Sequence, residues 1–295
     1  MKLGPTTIDD TFAEAFGMKY VKLVVTAHDE FWLDAALREF CGYSSSVIAC
    51  DLEIGVEKRL PATDTPDGRP GASVLCFGFS KDAIAQAVPV RTGQCLMTCP
   101  STAVFDGTTG ENRIPLGKHI RFFGDGFQKS KVVGERRYWR IPVMDGEFLV
   151  VDQVGVASGV AGGNVIVQTS DTPSALSAVR RAVEAIDAVN GAITPFPGGV
   201  ARSGSKVGSR YQALKASTSD AFCPTLRGRV ESKLHVEANC ALEIVIDGVD
   251  ESSVATAMTV AMRAAAGEDV VAISAGNYGG KLGKYHFSLH ELAQN

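Results

Sequence analysis

ALEIVIDG at residues 241–248 and VVAISAGNYGG at residues 270–280 enclose one helical pattern, and together these segments decide the fold. Each flanking segment contains an apolar run of strand length. Asp250 is a typical N-cap residue for the helix between them, and Gly267 is a typical stop. The apolar residues of this helix recur at three- and four-residue spacing: Val254, Met258, Ala261 and Ala265. The stretch therefore predicts a strand, a helix and a second strand.

The same order of elements occurs earlier in this half of the chain. Residues 164–169 have a strand pattern, and Thr172 is the predicted N-cap of a helix that ends at Gly191. AITPFPGG at residues 192–199 is a short strand that runs into a glycine turn. The predicted apolar stripe of the helix consists of Leu176, Val179, Val183 and Ile186. The C-terminal half therefore contains two strand–helix–strand units.

The N-terminal half shows the same unit less cleanly. YVKLVVT at residues 20–26 precedes a helical pattern and then a strand pattern at residues 45–50. ASVLCFGF at residues 72–79 precedes a second helix, which Pro89 is expected to kink or interrupt, and a strand pattern at residues 102–106. This half therefore also offers two βαβ units.

Two βαβ units in succession are the ferredoxin-like pattern. We therefore predict an α+β fold with two ferredoxin-like (βαβ-βαβ) lobes, one at residues 1–150 and one at residues 151–295. The segment from residue 118 to residue 154 contains further strand patterns, namely IRFFGDGF, RRYWRIPV and EFLVVDQV. We expect these to be added strands that link the lobes.

The composition is that of a globular protein. The chain has 295 residues, of which 45% are hydrophobic and 21% are charged, with a formal net charge of −4. This balance excludes disordered and collagen-like classes and gives no electrostatic reason to expect nucleic acid as a partner. No apolar run approaches the roughly 20 residues that cross a bilayer, and the first residues lack a signal-peptide pattern. We therefore predict a cytoplasmic protein with no membrane partner.

The spacing of cysteine and histidine predicts no metal site. The seven cysteines are scattered through apolar stretches, as in a reducing compartment. The closest pair, Cys95 and Cys99, has no matching second pair, and the five histidines show no paired spacing. A GxSxG nucleophile elbow is also absent from the sequence. Direct group transfer is therefore favoured over a covalent acyl-enzyme.

Glu243 is the strongest candidate for a catalytic residue. It lies in the middle of the apolar strand 241–248, on the face that it shares with Ala241 and Val245. A carboxyl in such a strand is desolvated, which raises its pKa toward neutrality, so that it could donate a proton at pH 7. The alternative is an exposed glutamate on an open sheet surface.

Two glycine pairs are the next candidates. Gly198-Gly199 and Gly279-Gly280 each follow a strand, and their amides could bind a carboxylate or an oxyanion. Side chains nearby supply positive charge or hydroxyl groups, namely Arg202, Ser205, Lys206, Tyr278 and Lys281. The alternative is that the glycines only turn the chain and that the charged groups are solvated surface.

Seven strings in the right order resemble the formylmethanofuran:tetrahydromethanopterin formyltransferase family, and they extend over nearly the whole chain. They are IDDTFAEAF at 8–16, TPDGRPG at 65–71, FFGDGF at 122–127, GVAGGN at 159–164, PFPGG at 195–199, SKVGS at 205–209 and ISAGNYGGKLG at 273–283. The near balance of 33 acidic and 29 basic residues favours the bacterial, methylotroph branch of this family over the archaeal one.

The resemblance implies an activity, substrates and partners. The expected activity is transfer of a formyl group between the amine of methanofuran and N5 of tetrahydromethanopterin, with no covalently bound cofactor and no metal. The resemblance also implies a homo-oligomer, a tetramer, and a complex with formylmethanofuran hydrolase subunits. Glu243 corresponds to the glutamate proposed as the acid-base group of the family. Arg202, Lys206, Lys281 and Lys284 are plausible contacts for an anionic methanofuran tail.

Two hypotheses from other classes stay open on the sequence. One is a non-catalytic subunit that docks methanofuran for a hydrolase. The other is a ferredoxin-like module that binds a small anion, which would not need a buried carboxyl.

Overall fold

The structure is a computed structural model that describes residues 1–108, 110 and 112–294. Contacts group the residues into two compact units. The C-terminal unit consists of Met1–Gly17 and Val160–Asn295, and the N-terminal unit consists of Met18–Gly159. The contact grouping thus joins the first 17 residues to the second half of the chain, and the lobe division at residues 150 and 151 stays a prediction.

Six α-helices occur in the described part of the chain. They are α1 (Glu30–Phe40), α2 (Lys81–Arg91), α3 (Gly117–Ile120), α4 (Thr172–Ile186), α5 (Glu251–Ala265) and α6 (Leu289–Gln294). Aspartate side chains cap both long helices of the C-terminal unit, because Asp171 accepts from the Ser174 amide and Asp250 accepts from the Ser253 amide. None of the helices within the described ranges combines the length and the apolar character that a membrane span requires.

The β-strands alternate with these helices along the chain. In order they are β1 (Lys2–Leu3), β2 (Thr6–Ile8), β3 (Phe12–Thr26), β4 (Glu53–Leu60), β5 (Gly71–Gly78), β6 (Ala103–Asp106), β7 (Arg113–Pro115), β8 (Lys129–Val133), β9 (Arg136–Val143), β10 (Gly146–Val151), β11 (Gln153–Gly155), β12 (Ala157–Thr169), β13 (Ala192–Ile193), β14 (Lys206–Val207), β15 (Ala216–Ser217), β16 (Cys240–Gly248), β17 (Ala272–Ser274) and β18 (Tyr285–Ser288).

The C-terminal unit has a sheet in the order β13-β16-β12-β17, in which every neighbouring pair is antiparallel. Strand β2 continues the sheet in parallel beside β17. Helices α4 and α5 pack against each other and against β16. Alanine and branched aliphatic side chains form the core between these helices and the sheet, as apolar faces of both element types require.

The N-terminal unit has a sheet in the order β4-β5-β3-β6, and its neighbouring pairs are also antiparallel. Helices α1 and α2 contact β5, and a second apolar core lies between them and the sheet. Strand β10 extends this sheet in parallel beside β6, and β9 and β8 follow as antiparallel strands. The two units thus repeat one strand order, and the added strands belong to the N-terminal unit.

Several local predictions require correction in the C-terminal unit. The N-cap of α4 is Asp171 rather than Thr172, because the aspartate oxygen reaches the Ser174 amide at 2.9 Å. Leu176 is 54% exposed and does not lie on the buried stripe. Val179 and Ile186 are buried as predicted, and the small residues Ala175, Ala178 and Ala182 are buried with them, which permits close packing.

The N-terminal unit also differs from the local predictions. Residues 45–50 form turns, and the strand that follows α1 is β4. Helix α2 continues through Pro89 to Arg91 and is followed directly by a π-helical turn at Thr92–Leu96, so Pro89 does not end the helix. The segment 120–127 was predicted as a strand, but it forms the end of α3 and a 3₁₀ turn at Arg121–Gly124.

Candidate active site

Glu243 is a buried carboxyl on the central strand β16 and is 4% exposed. The alternation of the strand thus places it in the interior, not on an open surface. The Ser205 hydroxyl donates to its Oε1 at 2.7 Å. Its Oε2 has no hydrogen-bond partner within the described residues. Burial raises the pKa of Glu243, and hydrogen bonds from the Ser205 hydroxyl and amide oppose that rise.

The segment after residue 200 brings Ser205 to Glu243. The Ala201 amide donates to the backbone carbonyl of Glu243 at 2.7 Å, which attaches the start of this segment to β16. Gly204 has a φ of +73°, and a Cβ there would lie 2.1 Å from the Ser219 hydroxyl oxygen. Only glycine fits this close approach, so the turn that presents Ser205 depends on it.

Tyr278 connects this segment to a second loop. Its hydroxyl donates to the carbonyl of Ser205 at 2.9 Å and accepts from the amide of Val207 at 3.2 Å. Burial raises the pKa of Tyr278, and the negative charges of Glu243 and Glu14 raise it further. The phenol therefore stays protonated at neutral pH and can hold Ser205 in place.

Glu14 is a buried carboxylate on β3 that the sequence reasoning missed. It is 1% exposed. Four backbone amides donate to it at 2.5 to 2.9 Å, namely those of Tyr278, Gly280, Leu282 and Gly283. These amides hold the pKa of Glu14 below its usual range in spite of burial. All four belong to the loop between β17 and β18, which we call the glycine loop (residues 276–283).

Asn164 on β12 holds the start of the glycine loop and was also missed. Its Oδ1 accepts from the Gly276 amide at 2.6 Å, and its Nδ2 donates to the Gly276 carbonyl at 3.1 Å. A Cβ on Gly276 would lie 3.7 Å from Oε1 of Glu243, so this backbone lies directly beside the carboxyl. The signal for both missed residues was in the sequence, since Glu14 and Asn164 are polar residues within apolar strands, as Glu243 is.

Three of the predicted site residues lie together, namely Glu243, Ser205 and Tyr278. Lys206 follows Ser205, but its ammonium pairs with the Asp220 carboxylate at 2.8 Å. Arg202 and Lys281 are exposed on neighbouring loops. Contacts of these three basic residues with a substrate stay predictions.

Amides of the predicted glycine pairs make hydrogen bonds within the protein, and these bonds compete with substrate binding. The Gly280 amide donates to Glu14, and the Gly279 amide donates to Oδ1 of Asn277 at 3.1 Å. The Gly199 amide donates to the Phe196 carbonyl at 2.7 Å. These amides are therefore already used within the protein, and substrate binding by Gly198, Gly199, Gly279 and Gly280 stays a prediction that rests on close backbone approach.

Metal-ligating side chains do not converge in the part of the chain that the structure describes. There, no group of three or more histidine, cysteine, aspartate or glutamate side chains is placed to hold a metal ion.

The fold and the site together define a class of protein. The chain is a two-unit α+β protein with a buried carboxyl, of raised pKa and with one oxygen unpartnered, beside a tightly held glycine loop. This arrangement is typical of enzymes that transfer a proton to a reacting group.

Comparison with known proteins identifies the family. Residues 1–143 match the model of the formylmethanofuran-tetrahydromethanopterin formyltransferase family, and residues 146–292 match the model of its proximal lobe. The chain belongs to this formyltransferase family. A formylmethanofuran–tetrahydromethanopterin formyltransferase of Methylobacillus flagellatus is 49% identical over 99% of each chain.

Two solved structures have the same fold. One is the formyltransferase/hydrolase complex from Methylorubrum extorquens in complex with methylofuran, whose matching chain is 45% identical. Its TM-score is 0.95, over 99% of this chain and 98% of that one. The other is the formyltransferase of Methanosarcina barkeri, which is 40% identical with a TM-score of 0.94 over 99% of this chain and 100% of that one.

Proposed function

We propose that this chain transfers a formyl group between the amine of methanofuran and N5 of tetrahydromethanopterin, with Glu243 as the general acid-base. The observation that carries the assignment of Glu243 is its buried, unpartnered Oε2 on a carboxyl whose pKa burial raises. Burial makes the charged form of this carboxyl less favourable, and Oε2, which makes no hydrogen bond within the described residues, is the oxygen on which Glu243 would carry a proton. That oxygen is the one left to meet a substrate atom.

The reaction needs one proton donor and one proton acceptor. An amine nitrogen attacks the formyl carbon and forms a new C–N bond, and the carbonyl oxygen becomes an oxyanion in a tetrahedral intermediate. The original C–N bond then breaks. Glu243 protonates the departing nitrogen and, as the carboxylate, accepts the proton that the attacking nitrogen releases. Glu243 therefore ends the cycle as it began, and the same steps serve both directions of transfer.

Ser205 and Tyr278 support this role by fixing the other oxygen of Glu243. The Ser205 hydroxyl donates to Oε1, which leaves Oε2 as the site of the proton. The Tyr278 hydroxyl holds the Ser205 carbonyl at 2.9 Å. Because the Ser205 bonds oppose the effect of burial, they set how strong an acid Glu243 is.

Substrate binding by the surrounding loops forms part of the proposal. Arg202 and Lys281 are exposed cations that could meet an anionic coenzyme tail. Lys206 could do so only in competition with Asp220. The glycine pairs have positive φ angles at all four positions. A Cβ would meet open space at Gly198 and Gly279, so a ligand could approach the backbone closely at these two glycines.

The assembly that we propose is a homo-oligomer, expected to be a tetramer, that associates with formylmethanofuran hydrolase subunits. The similarity to a chain of the Methylorubrum formyltransferase/hydrolase complex supports the association. A cytoplasmic location belongs to the same proposal. The strand order that both units share, with two helices on each sheet, supports the proposal that each unit is a ferredoxin-like lobe.

The test is a direct assay of the purified chain. Formylmethanofuran and tetrahydromethanopterin are mixed with the chain alone, and the formation of 5-formyl-tetrahydromethanopterin is followed. We expect turnover without any hydrolase subunit. Methanofuran binding without turnover would identify a non-catalytic docking subunit, and binding of neither coenzyme would favour an anion-binding module; either result would overturn the proposal.

A further inference from the structure

Glu14 holds residues 278–283 of the glycine loop through four backbone amides. A carboxylate has about four lone-pair sites for hydrogen bonds. The amides of Tyr278 and Gly280 fill the sites on Oε2, and the amides of Leu282 and Gly283 fill those on Oε1. Since one side chain takes amides from both ends of a six-residue turn, the conformation of that turn depends on the negative charge of Glu14.

The Glu14 contacts lead to Glu243 through two further hydrogen bonds. Glu14 fixes the backbone of Tyr278, and the Tyr278 hydroxyl donates to the Ser205 carbonyl at 2.9 Å. The Ser205 hydroxyl in turn donates to Oε1 of Glu243 at 2.7 Å. Each of these residues is hydrogen-bonded to the next, and all of them belong to the C-terminal unit.

We propose that Glu14 is a positioning residue for the transfer reaction, which holds the glycine loop so that Tyr278 fixes Ser205 against Glu243. This inference rests on the proposed function. In the proposed reaction, Glu14 does not contact the reacting atoms. Its effect passes through the hydrogen bond that Ser205 makes to Glu243, and that bond opposes the rise in the pKa of Glu243.

Other ionisable groups face these residues. His286 lies opposite Glu14 on β18, with its ring against Phe12. Lys281 and Lys284 lie in and beside the glycine loop. Tyr278 faces both glutamates, and their charges raise its pKa. Only the Tyr278→Phe variant replaces one of these groups. A shift of the pH profile in Glu14→Gln therefore does not come from the replacement of another of them.

The test is the pH dependence of kcat in Glu14→Gln, Ser205→Ala and the double variant. Glutamine keeps the shape but turns an NH₂ group toward two backbone amides, so it cannot hold the glycine loop. We expect kcat to fall about tenfold, as on loss of one hydrogen bond to a charged group. The alkaline limb of the profile, where Glu243 loses its proton, should move up by roughly one pH unit. In the Ser205→Ala background, Glu14→Gln should move the limb no further.

Asp171→Asn is the matched control. Asp171 lies in the same unit, and its pKa is also lowered by a backbone amide, that of Ser174. Its side chain caps α4 and accepts hydrogen bonds from Ser170 and Ser174, which lie outside the glycine loop. This variant should be less stable than the parent but should keep the parent's pH profile.

Tyr278→Phe keeps the inference testable if Glu14→Gln does not fold. It removes the hydroxyl that holds Ser205 and leaves the four amides on Glu14. We expect the same upward shift of the alkaline limb. An alkaline limb at the parent's pH in either variant would overturn the positioning role. So would a shift in the double variant that equals the sum of the shifts in Glu14→Gln and Ser205→Ala. A parent chain without transferase activity would instead contradict the proposed function.

Discussion

Glu14 and Glu243 are two buried glutamates in one unit whose pKa values shift in opposite directions. Both sit among apolar residues in a strand, and both are almost fully removed from solvent, which by itself raises the pKa of each. Glu14 accepts four backbone amides, and its pKa is lowered. The Glu243 carboxyl accepts hydrogen bonds only from Ser205 among the described residues, and its pKa is raised. The difference lies in the donors around each carboxyl.

The comparison shows how the donors around a buried carboxyl set the direction of its pKa shift. Amide dipoles replace the hydration that Glu14 loses, so the charged form stays favourable. Glu243 has no such donor at Oε2 within the described residues, so burial makes its charged form less favourable. The two carboxyls therefore differ by a few hydrogen bonds, and each of the following changes alters one side of that difference.

Replacing Glu243 with glutamine should have the largest effect on activity. The amide keeps the shape of the side chain but removes the proton that titrates. Proton transfer by a placed side chain contributes about 10²–10⁴-fold, so kcat should fall by a factor in that range with KM nearly unchanged. Steady-state kinetics with both coenzymes measure this.

Glu53→Gln is the control for that variant, because Glu53 is another buried glutamate, in the N-terminal unit. It should keep the parent's turnover. If Glu243→Gln stayed within a few-fold of the parent, Glu243 would be structural, and the acid would have to be sought at Tyr278, Lys206 or Lys281.

Replacing Ser205 with alanine should have an intermediate effect. It removes the donor to Oε1 and so makes the surroundings of Glu243 still less favourable for charge. The pKa of Glu243 should rise further, and kcat at pH 7 should fall by roughly three- to tenfold, because a weaker acid protonates the leaving nitrogen more slowly.

Ser203→Ala is the matched control in the same segment, because the Ser203 hydroxyl donates to the neighbouring Gly204 carbonyl and not to Glu243. It should leave the pH profile unchanged. An unchanged profile in Ser205→Ala would mean that this hydrogen bond does not tune Glu243.

The smallest effect should be on stability, and its sign should differ between the two glutamates. The folded pKa of Glu14 is lowered, so its stabilising contribution is present above the unfolded value of about 4.3 and is lost as the pH falls through the folded value. The folded pKa of Glu243 is raised, so its contribution is present below that unfolded value and is lost as the pH rises through the folded value.

Urea unfolding measures this difference. The free energy of unfolding is determined for the parent, Glu14→Gln and Glu243→Gln from about pH 3.5 to about pH 8, a range that includes the pKa of an unfolded glutamate. The deficit of Glu14→Gln relative to the parent should shrink toward acid pH. Glu243→Gln should gain on the parent as the pH rises. Parallel curves for the two variants would show that the two carboxyls share one charge state.

The sequence by itself determined several elements of the fold and singled out three residues that the structure brings together, Glu243, Ser205 and Tyr278. Helix caps, apolar periodicity and stop signals predicted α5 and β16 because these depend on neighbours a few residues apart. The period-2 pattern left open whether Glu243 is buried or lies on an open sheet surface. The segments that failed, such as 45–50 and 120–127, are short apolar stretches whose conformation local pattern leaves ambiguous.

The tertiary structure alone decided what the buried carboxyls do. Glu14 meets the amides of the glycine loop across a separation of up to 269 residues, and Ser205 meets Glu243 across 38. The sequence assigned the amides of Gly279 and Gly280 to a substrate, whereas the fold gives the Gly280 amide to Glu14 and the Gly279 amide to Asn277. The pKa of a buried group depends on the donors that surround it in space, and residues so distant along the chain become neighbours only when the sheets and helices have packed.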